Sequence, residues 1–132
     1  MRRLRLPGSL ALAIGIGLPG IALPQEAPEA EAAAARSYDG GDYEASAATY
    51  RRLLGEAGAD LDRAALHYNL GNAEYRAGRL GYAMLHWERS LTLRPGDEDA
   101  RANVALARAV LDRRLTDAAA SGDPDTFLLE LL

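Results

Sequence analysis

Two histidines are the side chains in this sequence best suited to metal binding or to acid–base catalysis. His67 and His86 stand on two different predicted helices, and neither has a cysteine, a second histidine at ligand spacing or a clustered pair of carboxylates beside it. The chain contains no Cys, which excludes disulfides, thiolate metal ligands and a cysteine nucleophile. The sequence therefore predicts packing and surface roles for both histidines, with no metal site and no catalytic residue.

Nucleophile and phosphate-binding motifs are equally weak. The serines lack the strand–turn–helix setting of a nucleophile elbow. Gly15, Gly17 and Gly20 form a fragment of a glycine-rich pattern, but no lysine or predicted strand accompanies them. We therefore expect no cofactor and a protein that is not an enzyme.

The stretch from Ala64 to Asp97 reads as two short helices, and the rest of the chain is organised around it. Gly78 separates the helices because it accepts a left-handed backbone, and Pro95 ends the second one. Apolar residues recur at helical spacing in each half. They are Leu66, Leu70, Ala73, Ala77 and Leu80 in the first half, and Ala83, Met84, Trp87 and Leu91 in the second.

This spacing resembles the tetratricopeptide repeat (TPR), a helix–turn–helix unit of about 34 residues. The resemblance implies an all-α, right-handed solenoid of about two and a half repeats with a closing helix, and packing roles for the matching residues. Those residues are Leu70, Gly71, Tyr75, Gly78, Ala83, Trp87 and Pro95. His67 and Glu74 depart from the pattern, since large aromatic residues are usual there. We expect Glu74 to reach solvent or pair with an arginine, in a loosely packed surrounding.

The same resemblance implies a concave groove that binds a partner protein or peptide. Its candidate residues are Tyr68, Asn69, Asn72, Tyr75, Arg76, Asn103 and Leu106. An asparagine can hydrogen-bond a peptide backbone, and Arg76 can hold a carboxylate through two hydrogen bonds. The alternative is that Asn69 and Asn72 only hold neighbouring repeats together. Glu31 and Ala35 stand where chaperone-binding members carry basic or Asn residues, which disfavours that specificity.

Flanking segments complete the predicted domain at residues 29–115. A degenerate first repeat covers about 27–62, with helices at 29–38 and 43–54 and Asp42 as an N-cap. The main repeat covers 64–97. Asp97 begins a closing helix at 98–115, which caps the array. Residues 23–28 are a lead-in, and residues 116–132 are a linker followed by the apolar tail Phe127–Leu132.

The charge balance disfavours one class of partner, and the amino-terminal segment indicates an exported protein. The 132 residues carry 15 basic and 19 acidic side chains, a net charge of -4 that disfavours a nucleic-acid partner. Residues 1–22 read as a signal peptide, with Arg2, Arg3 and Arg5 before the apolar run 10–18 and cleavage after Ala22. An uncleaved amino-terminal anchor is the alternative.

Residues 64–109 also resemble the exported TPR proteins of the bacterial Bat aerotolerance operon, the BatE-like proteins. That resemblance implies a role in envelope assembly or stress tolerance. We therefore expect a scaffold in the periplasm or cell envelope, free or membrane-associated, that binds a protein or peptide ligand. The alternative function is a structural assembly subunit that forms homo-oligomers or joins a membrane-protein complex through its apolar tail.

Overall fold

Five helices form the structure, a computed structural model that describes residues 26–56 and 61–121. They are α1 (Glu26–Asp39), α2 (Tyr43–Glu56), α3 (Arg63–Arg76), α4 (Leu80–Leu93) and α5 (Glu98–Ser121). No strand occurs in these two ranges, so the prediction of an all-α protein is confirmed. The predicted signal peptide, its cleavage site and the apolar tail lie outside the described residues.

Each helix packs against the next one along the chain. The connections from α1 to α2, from α3 to α4 and from α4 to α5 are only three or four residues long, which makes these pairs antiparallel hairpins. Gly41 and Gly78 have φ values of 83° and 84° in the first two of these turns. A side chain is strained in that backbone region, so glycine is needed at both positions.

Aspartates begin three of the helices. The Oδ1 atoms of Asp42, Asp62 and Asp97 accept hydrogen bonds from the backbone N–H three residues later, at 3.0–3.1 Å. These N-caps satisfy amide groups that have no partner within the helix. The caps predicted at Asp42 and Asp97 are confirmed, and α4 begins after Arg79 without a side-chain cap.

The first and last helices, α1 and α5, are both longer than the sequence pattern predicts. α1 begins at Glu26 rather than residue 29, because Pro28 falls in the first turn, where its missing N–H costs nothing. α5 continues to Ser121, so the linker predicted from Thr116 onward is wrong up to that point. Alanines at 118–120 favour helix strongly, and the side chain of Leu115 is half-buried.

Two apolar clusters make up the core. The first joins α1, α2 and α3 through Ala34, Ala47, Tyr50, Leu53, Leu66, Leu70 and Ala73. The second joins α4 and α5 through Ala83, Trp87, Val104 and Ala107, with Tyr68 and Tyr75 of α3 packed against it. Helix α3 therefore contributes to both clusters. Within the described ranges, none of the helices combines the length and apolar character that crossing a membrane requires.

Candidate functional site

Two hollows are lined partly by α3, one of them together with α1 and α2 and the other together with α4 and α5. The α1–α3 hollow has a volume of about 150 Å³ and is lined by Ala35, Tyr38, Asp39, Tyr50, Asn69 and Asn72. The α3–α5 hollow has a volume of about 300 Å³ and is lined by Tyr75, Arg76, Gly78, Leu80, Val110 and Arg114. We call the surface that contains both hollows the odd-helix face. Four of the predicted groove residues, Asn69, Asn72, Tyr75 and Arg76, line one hollow or the other.

Arg76 is exposed at the end of α3 and is held on two aromatic rings. Its guanidinium carbon lies 4.6 Å from the ring centre of Tyr43 and 6.0 Å from that of Tyr38. The guanidinium also donates a hydrogen bond to the Tyr43 hydroxyl. The two tyrosine rings contact each other edge to face, with centres 5.3 Å apart. Cation–π contacts of this kind restrict the arginine while leaving further N–H donors for a ligand.

Asn72 and Asn103 join helices rather than facing an empty groove. The Oδ1 atom of Asn72 accepts hydrogen bonds from Trp87 Nε1 at 3.0 Å and from Asn103 Nδ2 at 3.2 Å. The Asn72 side chain thus links α3 to both α4 and α5. This geometry favours the packing alternative for Asn72. Asn69 differs, because its half-buried amide lines the α1–α3 hollow and has no hydrogen-bond partner within the described ranges.

The remaining predicted groove residues divide between packing and surface positions. Tyr68 and Tyr75 are half-buried, and the Tyr75 ring centre lies 5.7 Å from that of Trp87. Leu106 is 50% exposed. It shares a helical stripe of α5 with Asn103 and Val110, which lie three residues before it and four after it. Since Asn103 reaches α3 and Val110 lines the α3–α5 hollow, Leu106 lies at the odd-helix face.

Glu74 is a fully buried carboxylate held between two arginines. Its Oε1 atom accepts hydrogen bonds from Arg51 Nη2 at 2.5 Å and Arg51 Nε at 3.1 Å, and its Oε2 atom accepts one from Arg79 Nε. Arg79 also pairs with Glu44. The expected pairing with arginine is confirmed. The alternative that Glu74 reaches solvent is wrong, because its side chain is 0% exposed.

His67 and His86 lie against each other, a contact that their separate packing and surface roles in the sequence-based prediction did not include. Their Nδ1 atoms are 3.1 Å apart and their rings stack at an interplanar angle of 21°. One Nδ1 must donate and the other accept, so the accepting imidazole is neutral. The missed signal was their placement at comparable distances before and after the Gly78 turn, which an antiparallel hairpin brings together.

Burial keeps both imidazoles neutral. Desolvation is the main cause that lowers the pKa of His67, and the charges of Arg89 and Arg63 act in the same direction. Desolvation, followed by the His67 and Arg89 charges, lowers the pKa of His86 to about 4. Each imidazole is only 8% exposed, which explains why the charged form is disfavoured.

A third hollow, of about 420 Å³, opens beside the histidine pair. This α2–α4 hollow is lined by Arg51, Leu54, Gly55, Arg63, His67, Leu70, His86 and Arg89. Arg63 donates a hydrogen bond to the Leu54 carbonyl at 3.3 Å. Arg89 has neither a hydrogen bond nor an ion pair with any of the described residues. The hollow therefore combines guanidinium groups from three helices with two titratable imidazoles.

No group of three or more His, Asp or Glu side chains in residues 26–56 and 61–121 is arranged to hold a metal ion. The two imidazoles are the nearest approach to such a site, and arginines surround them. No known protein family, no curated protein and no solved structure matches this chain.

Proposed function

We propose that this chain is a protein-binding scaffold of the TPR type, whose odd-helix face holds a segment of a partner protein. The observation that carries the proposal is the position of Arg76. It rests on Tyr38 and Tyr43 and lines the α3–α5 hollow. A charged group held in place in this way loses little conformational freedom when it binds a carboxylate.

The surroundings of Arg76 suggest the chemistry of the partner segment. Val110 and Leu80 line the adjacent hollow, and Leu106 is half-exposed beside it. The unpaired amide of Asn69 lies in the other hollow and offers a donor and an acceptor to a peptide backbone. The partner segment is therefore expected to carry an acidic group for Arg76 and an apolar side chain next to it.

An internal repeat in the structure supports the TPR interpretation. Gly41 and Gly78 occupy equivalent turns, 37 positions apart, with nearly equal φ values. Tyr50 and Trp87 have the same offset and are both buried, at 3% and 2% exposure. These equal offsets support the interpretation of the α1–α2 and α3–α4 hairpins as two copies of one repeat. α5 packs on α4 and takes the place of a closing helix.

The proposed place of action is the bacterial periplasm or cell envelope. Support comes from the arginines and apolar run of residues 1–22 and from the resemblance to the BatE-like proteins. A scaffold of this kind would assemble envelope proteins or contribute to stress tolerance. Mass spectrometry of the mature protein tests export, because a cleaved signal peptide moves the amino terminus to Leu23.

Site-specific photo-crosslinking tests the binding face. A photoreactive amino acid replaces Leu106 on the odd-helix face or Leu93 on α4 as a matched control, since these leucines are 50% and 54% exposed. We expect a crosslink to a different protein from position 106 and none to a different protein from position 93, where assembly through α4 would give crosslinks only between copies of this chain. Arg76→Glu should abolish that crosslink while leaving the helical content unchanged. Equal crosslinking from both positions, or crosslinking insensitive to Arg76→Glu, contradicts the proposed face.

A second candidate function, assembly into an oligomer, is favoured by an apolar stripe on α4. Tyr82, Leu85 and Leu93 are 55%, 40% and 54% exposed and lie along one side of that helix. Sedimentation of the full chain and of a Tyr82→Ser/Leu85→Ser variant tests this function. A concentration-dependent oligomer that the variant loses supports assembly through α4, and a monomer in both cases contradicts it.

A further inference from the structure

The α2–α4 hollow is separate from the odd-helix face, and it concentrates positive charge in an acidic protein. Arg51 of α2, Arg63 of α3 and Arg89 of α4 line the same space, although the whole chain has a net charge of -4. Bringing like charges together is unfavourable unless an anion accompanies them. The charges of this hollow are therefore suited to an anion.

The one buried carboxylate near the hollow does not neutralise it. Glu74 shares its two oxygens between Arg51 and Arg79, so its charge is already matched by guanidinium groups. Arg63 bonds only a backbone carbonyl, and Arg89 has no acceptor within the described ranges. Two arginines thus keep donors that an anion can use, and the fork of a guanidinium suits the oxygens of a phosphate.

The paired imidazoles can respond to the charge of a bound anion by taking up a proton. Burial of both rings, followed by charges that include arginines of α2, α3 and α4, lowers the pKa of both imidazoles, while Glu74 acts in the opposite direction on His86. A doubly charged anion offsets the charges of Arg63 and Arg89, so it reduces the cost of protonating one imidazole. A proton taken up at Nε2 of the donating ring leaves the Nδ1–Nδ1 hydrogen bond in place, because that ring still donates from Nδ1 to its neutral partner.

We propose that the α2–α4 hollow binds a small soluble phosphate monoester, with Arg63 and Arg89 holding its oxygens and the His67–His86 pair taking up a proton. Leu54 and Leu70 line the same space, and its volume of about 420 Å³ leaves room for an organic group beside the phosphate. The same arginines repel a divalent cation, which argues against the imidazoles as metal ligands.

Nuclear magnetic resonance titration of the full chain tests the site, with inorganic phosphate and phenyl phosphate as probes. We expect the histidine ring signals and the amides of α3 and α4 near the hollow to shift, and phenyl phosphate to bind more tightly than inorganic phosphate. The variant Arg63→Gln/Arg89→Gln should weaken binding by about tenfold or more. The matched control Arg36→Gln/Arg101→Gln removes the same charge elsewhere on the surface and should bind like the wild type.

Sulfate is the probe for proton uptake, because its own charge does not change between about pH 8 and pH 5. The bound anion raises the affinity of the imidazoles for protons, so sulfate should bind more tightly as the pH falls. The variant His67→Gln/His86→Gln should lose this dependence.

Three results would overturn the proposal. One is equal phosphate binding by Arg63→Gln/Arg89→Gln and by the control Arg36→Gln/Arg101→Gln. Another is a set of chemical-shift changes spread over the whole protein surface. The third is binding to vesicles of phosphatidic acid with no response to phenyl phosphate. None of these results bears on crosslinking at Leu106, so the two proposals fail independently.

Discussion

The indole of Trp87 occupies the space where Gly71 has no side chain. A Cβ atom built on Gly71 would lie 2.6 Å from Cδ1 and Nε1 of that indole. Trp87 is among the largest fully buried side chains of the described residues, and Gly71 lies on the helix that it packs against. The close contact between α3 and α4 therefore depends on this glycine.

Gly71→Ala should lower the free energy of unfolding by about 1–3 kcal/mol, because the new methyl group overlaps the indole and forces a shift in a packed core. Gly81→Ala on α4 is the matched control, since a Cβ there has nothing within 4 Å. It should raise stability by about 0.5–1 kcal/mol through better helix propensity. Urea denaturation measures both changes, and equal effects at the two glycines would contradict the packing described.

Glu74→Gln should cost about 3 kcal/mol of stability, because it leaves the guanidinium groups of Arg51 and Arg79 without their buried counter-charge. Glu88→Gln removes an exposed carboxylate that pairs with Arg108 at 3.0 Å, and it should cost less than about 1 kcal/mol. The comparison uses urea denaturation at neutral pH. A loss at Glu74 no larger than that at Glu88 would show that the buried ion pairs do not stabilise the fold.

The free energy of unfolding should decrease as the pH is lowered through the range in which the buried histidine pair resists protonation. The pKa of His86 is lowered from 6.5 to about 4, chiefly by burial, so the unfolded chain takes up a proton in this interval that the folded chain does not. The contribution is complete above about pH 6.5 and is lost as the pH falls toward 4, with a total of up to about 3 kcal/mol.

Urea denaturation at a series of pH values measures this dependence. His67→Gln/His86→Gln should flatten the curve between about pH 6.5 and pH 4, since the groups responsible for the difference in bound protons are gone. Carboxylates that are stabilised in the folded state, such as Asp62, act at lower pH because their pKa is lowered from 3.8. Parallel curves for the wild type and the variant would rule out the histidine pair as the cause.

Asn69 and Asn72 should respond differently to truncation. Asn72→Ala leaves Trp87 Nε1 and Asn103 without an acceptor, and should cost about 1–3 kcal/mol of stability. Asn69→Ala removes an amide that lines a hollow, so it should change stability by less than about 0.5 kcal/mol while weakening capture of the partner. A stability loss at Asn69 as large as that at Asn72 would assign both residues to packing.

Local chemistry explains the features that the sequence predicted well. The turn at Gly78 depends on the backbone freedom of one residue, and the caps at Asp42 and Asp97 depend on a side chain and an amide three positions later. Such interactions are complete within a few residues, so they can be recognised without knowing the fold. The end of α5 was misjudged because a run of small residues suits either a linker or a helix, and the structure continues the helix through it to Ser121.

By itself, the sequence determined the all-helical class, the turn at Gly78 and most of the apolar residues of α3 and α4, although Leu80 begins α4 rather than continuing α3. Only the tertiary structure decided that His67 meets His86, that Asn72 bonds Trp87 and that two arginines hold Glu74. The physical reason is that periodicity tells which side of a helix is apolar, but not how far one helix is shifted along the next. A shift of one turn moves a side chain by about 5 Å, which is enough to make or break each of these polar contacts.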